Sequence, residues 1–139
     1  HNEFAQCTAI VMAAAVADYR PVMVADRKMK RGKEPIELRL APNPDILKEL
    51  AHKKDGKLLI GFAAETEELT ANAEKKLREK NLDMIVANNV AEAGSGFDGD
   101  TNIATILDRT GAKRSLPLMS KDELADCIYD HFLALKSKR

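Results

Sequence analysis

The chain has 139 residues with 22 basic and 22 acidic side chains, and its net charge of zero excludes a nucleic-acid or anionic-membrane surface built on overall charge. Apolar residues make up 45% and aromatics only 4%, with no Trp, which excludes global disorder and calls for a core of Ala, Val, Ile, Leu and Met in one domain. The longest apolar stretch, Ala9 to Ala17, is too short to span a bilayer, and Cys7 and Cys127 lack the spacing of a zinc site or a disulfide scaffold, so the reducing cytoplasm is the expected compartment.

Glu3-Phe4-Ala5-Gln6 reads as the end of a helix whose beginning is absent, so the chain reads as a fragment of a larger protein with its N-terminal elements missing. Thr8 to Ala17 then reads as a buried parallel strand whose alanines leave room for a ligand or a helix. Asp18 to Pro35 has no periodicity and carries Arg20, Arg27, Lys28, Lys30, Arg31 and Lys33 against Asp26 and Glu34; a mobile basic lid over residues 19–35 is expected. Ile36 to Leu40 alternates as a half-exposed strand. Asn43-Pro44-Asp45 reads as a helix start, with Asn as cap and Pro at the first helical position, and the helix runs to about Lys54.

Lys57 to Ala64 is a second buried strand, Glu67 to Lys80 an amphipathic helix with Leu69, Ala73 and Leu77 inward, and Asp83 to Ala87 a third strand. Strand, helix, strand, helix, strand specifies an α/β fold with a mostly parallel sheet and crossover helices. A glycine-rich loop around Gly94 to Gly99 follows and reads as flexible surface. Asn102 to Asp108 and Ala112 to Leu118 form a strand pair, and Ser120 with Glu123 makes a capping box that opens a helix presenting Leu124, Cys127, Ile128, Phe132 and Leu135.

Ligands of an open parallel sheet bind beyond the carboxyl ends of its strands, here Ala14 to Asp18, Phe62 to Thr66 and Asn88 to Val90. The helix start at Pro44, Asp45, Ile46 and Leu47 offers free backbone N–H groups to an anion on the same side. A polyanion, most simply a nucleoside triphosphate, fits such a site, with Lys28 from the lid above it. From composition alone, the Lys28 run reads more readily as a solvated loop than as a phosphate clamp. Lys76 and Lys80, one helical turn apart, suit an anion, although Glu74, Arg78, Lys75 and Glu79 allow a salt-bridged surface helix instead. Asp18 at a strand end must be solvated, paired or bound. His1, His52 and His131 share no catalytic spacing, and neither a P-loop nor a dinucleotide fingerprint occurs.

Ala13-Ala14-Ala15-Val16-Ala17-Asp18-Tyr19-Arg20, Lys28-Met29-Lys30-Arg31, Asn43-Pro44-Asp45-Ile46, Gly61-Phe62-Ala63-Ala64-Glu65-Thr66, Lys80-Asn81-Leu82-Asp83 and Gly96-Phe97 with Asp100 and Asn102 occur in that order. On these motifs the chain resembles the phosphopantothenoylcysteine synthetase (phosphopantothenate-cysteine ligase) domain of the bifunctional bacterial coenzyme A biosynthesis protein. Asn88-Asn89-Val90 stands where that family usually has Asn-Asp-Val. The resemblance implies a Rossmann-like three-layer domain and a two-step ligation. In it, CTP activates 4'-phosphopantothenate as an acyl-cytidylate and L-cysteine then displaces CMP, with Mg²⁺ as the expected ion and no assignable metal ligands.

The resemblance further implies that Lys28 is the catalytic lid lysine and that Lys76 and Lys80 face the nucleotide. Met12, Ala13, Ala14 and Asp18 would contact the nucleotide, as would Pro44 to Leu47 and Phe62. It implies a homodimer and an upstream flavin-dependent decarboxylase domain, the only place for FMN, and a fragment that binds CTP without completing the ligation alone. A non-catalytic nucleotide-binding or dimerisation module is the alternative. Neither nucleic acid nor membrane is expected as a partner.

Overall fold

The computed structural model describes residues 3–66, 68–92, 95 and 99–138. A 3-10 helix at Glu3–Ala5 leads into β1 (Ala9–Met12), β2 (Tyr19–Pro21), β3 (Leu40–Pro42), α1 (Ile46–His52) and β4 (Leu58–Glu65). Then follow α2 (Leu69–Glu79), β5 (Met84–Asn89), β6 (Thr101–Asp108), β7 (Lys113–Ser120) and α3 (Lys121–Ser137). The main sheet has the order β1-β4-β5-β6-β7, and β2 and β3 form a separate antiparallel pair. β1, β4 and β5 are parallel neighbours, β6 runs against β5, and β7 runs against β6 and so regains the common direction.

Successive side chains on a strand point to opposite faces, and that alternation divides the core into two layers. Leu59 and Ala63 of β4, Ile85 and Ala87 of β5 and Leu107 of β6 meet Leu47 and Leu50 of α1 and Ala73 and Leu77 of α2. Ile60, Met84, Val86, Ala104, Ile106 and Leu116 point the other way and meet Leu124, Ile128 and Leu135 of α3. The result is the expected three-layer α/β arrangement with a mostly parallel sheet and a C-terminal strand pair. Each fully buried aliphatic side chain, such as Leu59 or Ile60, contributes about 1.5–3 kcal/mol.

The structure departs from the expected elements in several places. The first strand ends at Met12, and residues 13–17 are exposed rather than buried. Alanines are poor strand formers, and this segment is held elsewhere: Asn43 Nδ2 donates to Ala17 O at 2.7 Å, and the Asn43 backbone N–H donates to Asp18 O at 2.7 Å. That use of Asn43 moves the helix start. The N-cap is Asp45, whose carboxylate accepts from the Lys48 N–H at 3.1 Å, and Pro44 precedes the cap. Residues 36–39 are not a strand; the pairing partner of Tyr19–Pro21 is Leu40–Pro42, so the basic segment begins with a strand.

α2 begins at Leu69 behind a left-handed Glu68 with no side-chain cap, and the expected first residue, Glu67, lies outside the described residues. So do His1, Gly94, Gly96, Phe97 and Asp98 of the loop motif. The capping box holds: Ser120 Oγ accepts from the Glu123 N–H at 3.1 Å, and Glu123 accepts from the Ser120 N–H at 2.8 Å.

Candidate functional site

β1 ends at Met12 beside Gly61 of β4, which runs on to Glu65, and α1 and α2 approach the same edge. Between them lies a cleft of about 410 Å³, lined among others by Met12, Ala14, Asp18, Asn43, Asp45, Phe62, Lys76 and Lys80. Its position follows from the topology, since the chain leaves each parallel strand at its carboxyl end to form a crossover. The alanines make the wall thin. Small side chains at Ala14, Ala15, Ala17, Ala63 and Ala64 leave the space that larger ones would fill.

Each lysine in the cleft has its own carboxylate. Lys76 Nζ lies 2.6 Å from Glu65 Oε1, and Lys80 Nζ lies 3.0 Å from Asp45 Oδ2. Burial pushes the Asp45 carboxyl up. Hydrogen bonds from Lys80 and the Lys48 N–H, with the charges of both lysines, more than offset this and hold it below the ordinary 3.8. Glu65 also accepts from Asn72 Nδ2 at 3.2 Å. An ammonium has three N–H donors, so each lysine keeps capacity for a second anion while its carboxylate fixes its position.

Of the residues expected at the site, Met12, Ala14, Asp18, Pro44, Asp45, Ile46, Leu47, Phe62, Lys76 and Lys80 line this cleft. Lys28 does not: it lies on the exposed segment after β2 and is not part of the wall. Ala13 lines two neighbouring hollows on the α3 side instead. The anion site at the start of α1 is also corrected, because Asp45 itself occupies the Lys48 N–H and the helix is only 7 residues long. Lys76 and Lys80 do not need an anion to relieve their spacing, since Glu65 and Asp45 neutralise them. The other salt-bridge alternative is present too, with Lys75 to Glu79 at 3.9 Å and Arg78 to Glu74 at 3.8 Å.

Sequence reasoning missed Asn43 as a tie between the alanine segment and α1, and Glu65 as the partner of Lys76. Glu65, like Asp18, is an acid that the sequence places at the end of an apolar strand, where it must be solvated, paired or bound. Among the described residues no group of three or more His, Cys, Asp or Glu side chains is placed to hold a metal ion. No chemistry is assigned to magnesium.

A family model described as DNA/pantothenate metabolism flavoprotein C-terminal domain matches residues 1–135. The chain belongs to this family. It is 47% identical over 129 residues to the coenzyme A biosynthesis bifunctional protein CoaBC of Bacillus subtilis (strain 168), covering 93% of this chain and 32% of that protein. It is 42% identical over 133 residues to a cysteine/cysteine sulfinic acid decarboxylase from an unknown prokaryotic organism, covering 95% of this chain and 37% of that one. A crystal structure of the C-terminal domain of a CoaBC protein superposes with a TM-score of 0.79 at 36% identity, covering 99% of this chain and 59% of that chain. The chain thus spans about a third of the length of these curated relatives.

These findings correct the resemblance. The description that covers residues 1–135 is that of a flavoprotein's C-terminal domain, and the reaction printed in a relative's name is a decarboxylation; none of these names carries a synthetase, a ligase or CTP. The synthetase reading therefore does not hold for this chain. With it go CTP-dependent ligation through an acyl-cytidylate, the ligase class, CTP and Mg²⁺ as co-substrate and ion, and the confinement of FMN to an absent upstream domain.

Proposed function

We propose that this chain is a ligand-binding domain of a bifunctional coenzyme A biosynthesis protein and that its cleft holds the phosphorylated end of a pantothenate-derived ligand such as 4'-phosphopantothenate. The observation that carries this reading is the pair Lys76 and Lys80, each positioned by a carboxylate, on the wall of the cleft at the carboxyl ends of β1 and β4. The pantothenate metabolism in the family's description and the bifunctional relatives support the ligand class. The residues assigned to a nucleotide are candidates for any phosphate-bearing ligand, and Lys28 would join them by closure of the lid at 19–35.

L-cysteine as a second partner belongs to the same reading and draws support from the name of the decarboxylase relative. A homodimer is supported by the exposed apolar side chains of Val22, Met23 and Val24. The cytoplasmic setting is supported by the two free thiols. No helix among the described residues is long and apolar enough to cross a membrane.

Calorimetric titration tests the ligand class with 4'-phosphopantothenate, pantothenate, inorganic phosphate, flavin mononucleotide and ATP. Phosphopantothenate should bind more tightly than pantothenate. Lys76→Gln and Lys80→Gln should each weaken it by about tenfold, the loss of one charge-assisted hydrogen bond, with helicity unchanged. Lys28→Gln should weaken it without altering the free protein. Equal affinity for the phosphorylated and unphosphorylated compounds would sink the reading.

A further inference from the structure

The wall of the cleft that runs from Ala14 to Asp18 belongs to no strand, since β1 has ended at Met12 and β2 begins at Tyr19. Alanine side chains offer a ligand only space and the backbone behind them, so this wall serves only as well as its backbone is held in place. β2 and β3 give it little support by themselves. They are three residues each, pair only with one another and lie largely exposed, and an isolated two-stranded pair is marginal in water.

Asn43, half-buried on the cleft wall just after β3, makes the junction. Its backbone N–H donates to Asp18 O at 2.7 Å and its Nδ2 to Ala17 O at 2.7 Å. The second bond requires the amide to face one way, with its nitrogen toward Ala17. The two ends of a side-chain amide are nearly the same shape, so a neighbour has to choose between them. Arg20 of β2 is that neighbour. Its Nη1 donates to Asn43 Oδ1 at 3.1 Å and to Pro42 O at 2.8 Å, and a guanidinium, having donors and no acceptor, accommodates only the oxygen end of the amide. The reversed amide would set N–H against N–H at Arg20 and oxygen against oxygen at Ala17. Both acceptors of Nη1 are neutral, so the guanidinium acts here through its planar fork rather than as half of an ion pair.

We infer that Arg20 is a positioning residue for the cleft: by orienting the Asn43 amide it fixes the wall from Ala14 to Asp18. Arg20 does not line the cleft itself, so it acts through Asn43 and not on a ligand. The same contact fastens the β2–β3 pair, from which the basic segment departs, to the wall. That the fixed wall serves a phosphorylated ligand rests on the proposed function, whereas the clamp does not.

Arg20→Met, Arg20→Lys, Asn43→Ala and the double variant of Arg20→Met with Asn43→Ala test this by NMR-detected solvent exchange in the free protein and by calorimetric titration with 4'-phosphopantothenate. Arg20→Met should speed exchange of the Asn43 backbone N–H by about tenfold and weaken 4'-phosphopantothenate by about fivefold, the loss of one hydrogen bond from a charged donor at an exposed site. The core amides of Leu59 and Ile85 and the melting temperature should stay as they are. Arg20→Lys, which keeps donors and adds no acceptor, should restore part of both effects. Because Arg20 acts through Asn43, the double variant should bind no more weakly than Asn43→Ala alone. Additive losses, or weaker binding with unchanged Asn43 exchange, would show that Arg20 meets the ligand directly and would overturn the inference. So would faster exchange with unchanged affinity, or a marked fall in melting temperature, which would show that the contact serves the fold as a whole. A wild type that binds no 4'-phosphopantothenate would count against the proposed function, and the exchange comparison would then decide the clamp by itself.

Discussion

Asp108 shows how one residue can set a pH dependence. It sits at the end of β6, 5% exposed, where its Oδ1 accepts from Thr110 Oγ1 at 2.6 Å and from the N–H groups of Thr110 and Ala112 at 2.8 and 3.2 Å. Its Oδ2 lies 2.7 Å from His131 Nε2 of α3. Burial pushes the carboxyl up, but the bonds from Thr110, His131 and Ala112 together hold it below the ordinary 3.8. A carboxyl depressed in the folded state binds fewer protons there than in the unfolded chain. Its stabilisation is therefore complete above the unfolded value and is lost as pH falls through the lower, folded one. The melting temperature of the wild type should fall more steeply below about pH 4 than that of Asp108→Asn. Parallel curves for the two proteins would remove Asp108 from the acid transition. A turn here was legible in sequence from the two strands it joins, Asn102 to Asp108 and Ala112 to Leu118, whereas its closure by a histidine 23 residues away was not.

At the scale of elements, the contact of α1 with β4 depends on one missing side chain. A Cβ on Gly61 would come within 2.8 Å of Leu82 Cδ1 and 3.2 Å of Leu47 Cδ1, both in the core layer beneath α1. Overpacking a close contact costs about 1–3 kcal/mol, while replacing glycine in a strand returns about 0.5–1 kcal/mol of backbone entropy. The first effect wins for a branched side chain and is nearly balanced for a methyl. Gly61→Val should thus lose about 1–3 kcal/mol in urea denaturation and Gly61→Ala much less; a Val variant as stable as the wild type would show that α1 does not need this close approach. The strand itself was legible as an apolar run from Leu58 to Ala64, as were the inward face of α2 and the capping box of α3, since each is written in spacings of two to four residues. The end of β1 and the start of α1 were not legible. Both depend on Asn43 bonding to residues 25 and 26 positions earlier, an alternative use of a side chain that locally suits a cap equally well.

For the molecule as a whole, Asp83 ties parts of the chain that are distant in sequence. It is fully buried; its carboxylate lies 2.8 Å from Lys54 Nζ and 3.3 Å from Arg109 Nε, and accepts from the Leu59 N–H at 2.8 Å. The turn after α1, the start of β4, the start of β5 and the turn after β6 therefore meet on one side chain. Removing one member of a buried ion pair typically costs about 3–5 kcal/mol because the partners remain uncompensated, and Asp83→Ala should lose stability on that order in urea. Asp83→Asn should lose less, since it still accepts from the Leu59 N–H. Native-state hydrogen exchange should show the loss in both core layers together; a loss confined to β5 would contradict a whole-molecule role.

The sequence by itself determined the α/β class, the parallel strands and the strand pair. Hydrophobic period and capping chemistry act over a few residues and survive whatever the rest of the chain does. It also picked out most of the cleft, because the carboxyl ends of parallel strands are fixed once the strands are known. Only the tertiary structure decided which charges pair. Lys76 with Glu65, Lys80 with Asp45 and Asp83 with Lys54 and Arg109 are separated by 11 to 35 positions, and a zero net charge is compatible with any of the possible pairings. Only the tertiary structure, too, left the side-chain oxygen of Asn88 buried without a hydrogen-bond partner, since burial and partner both depend on what packs around β5.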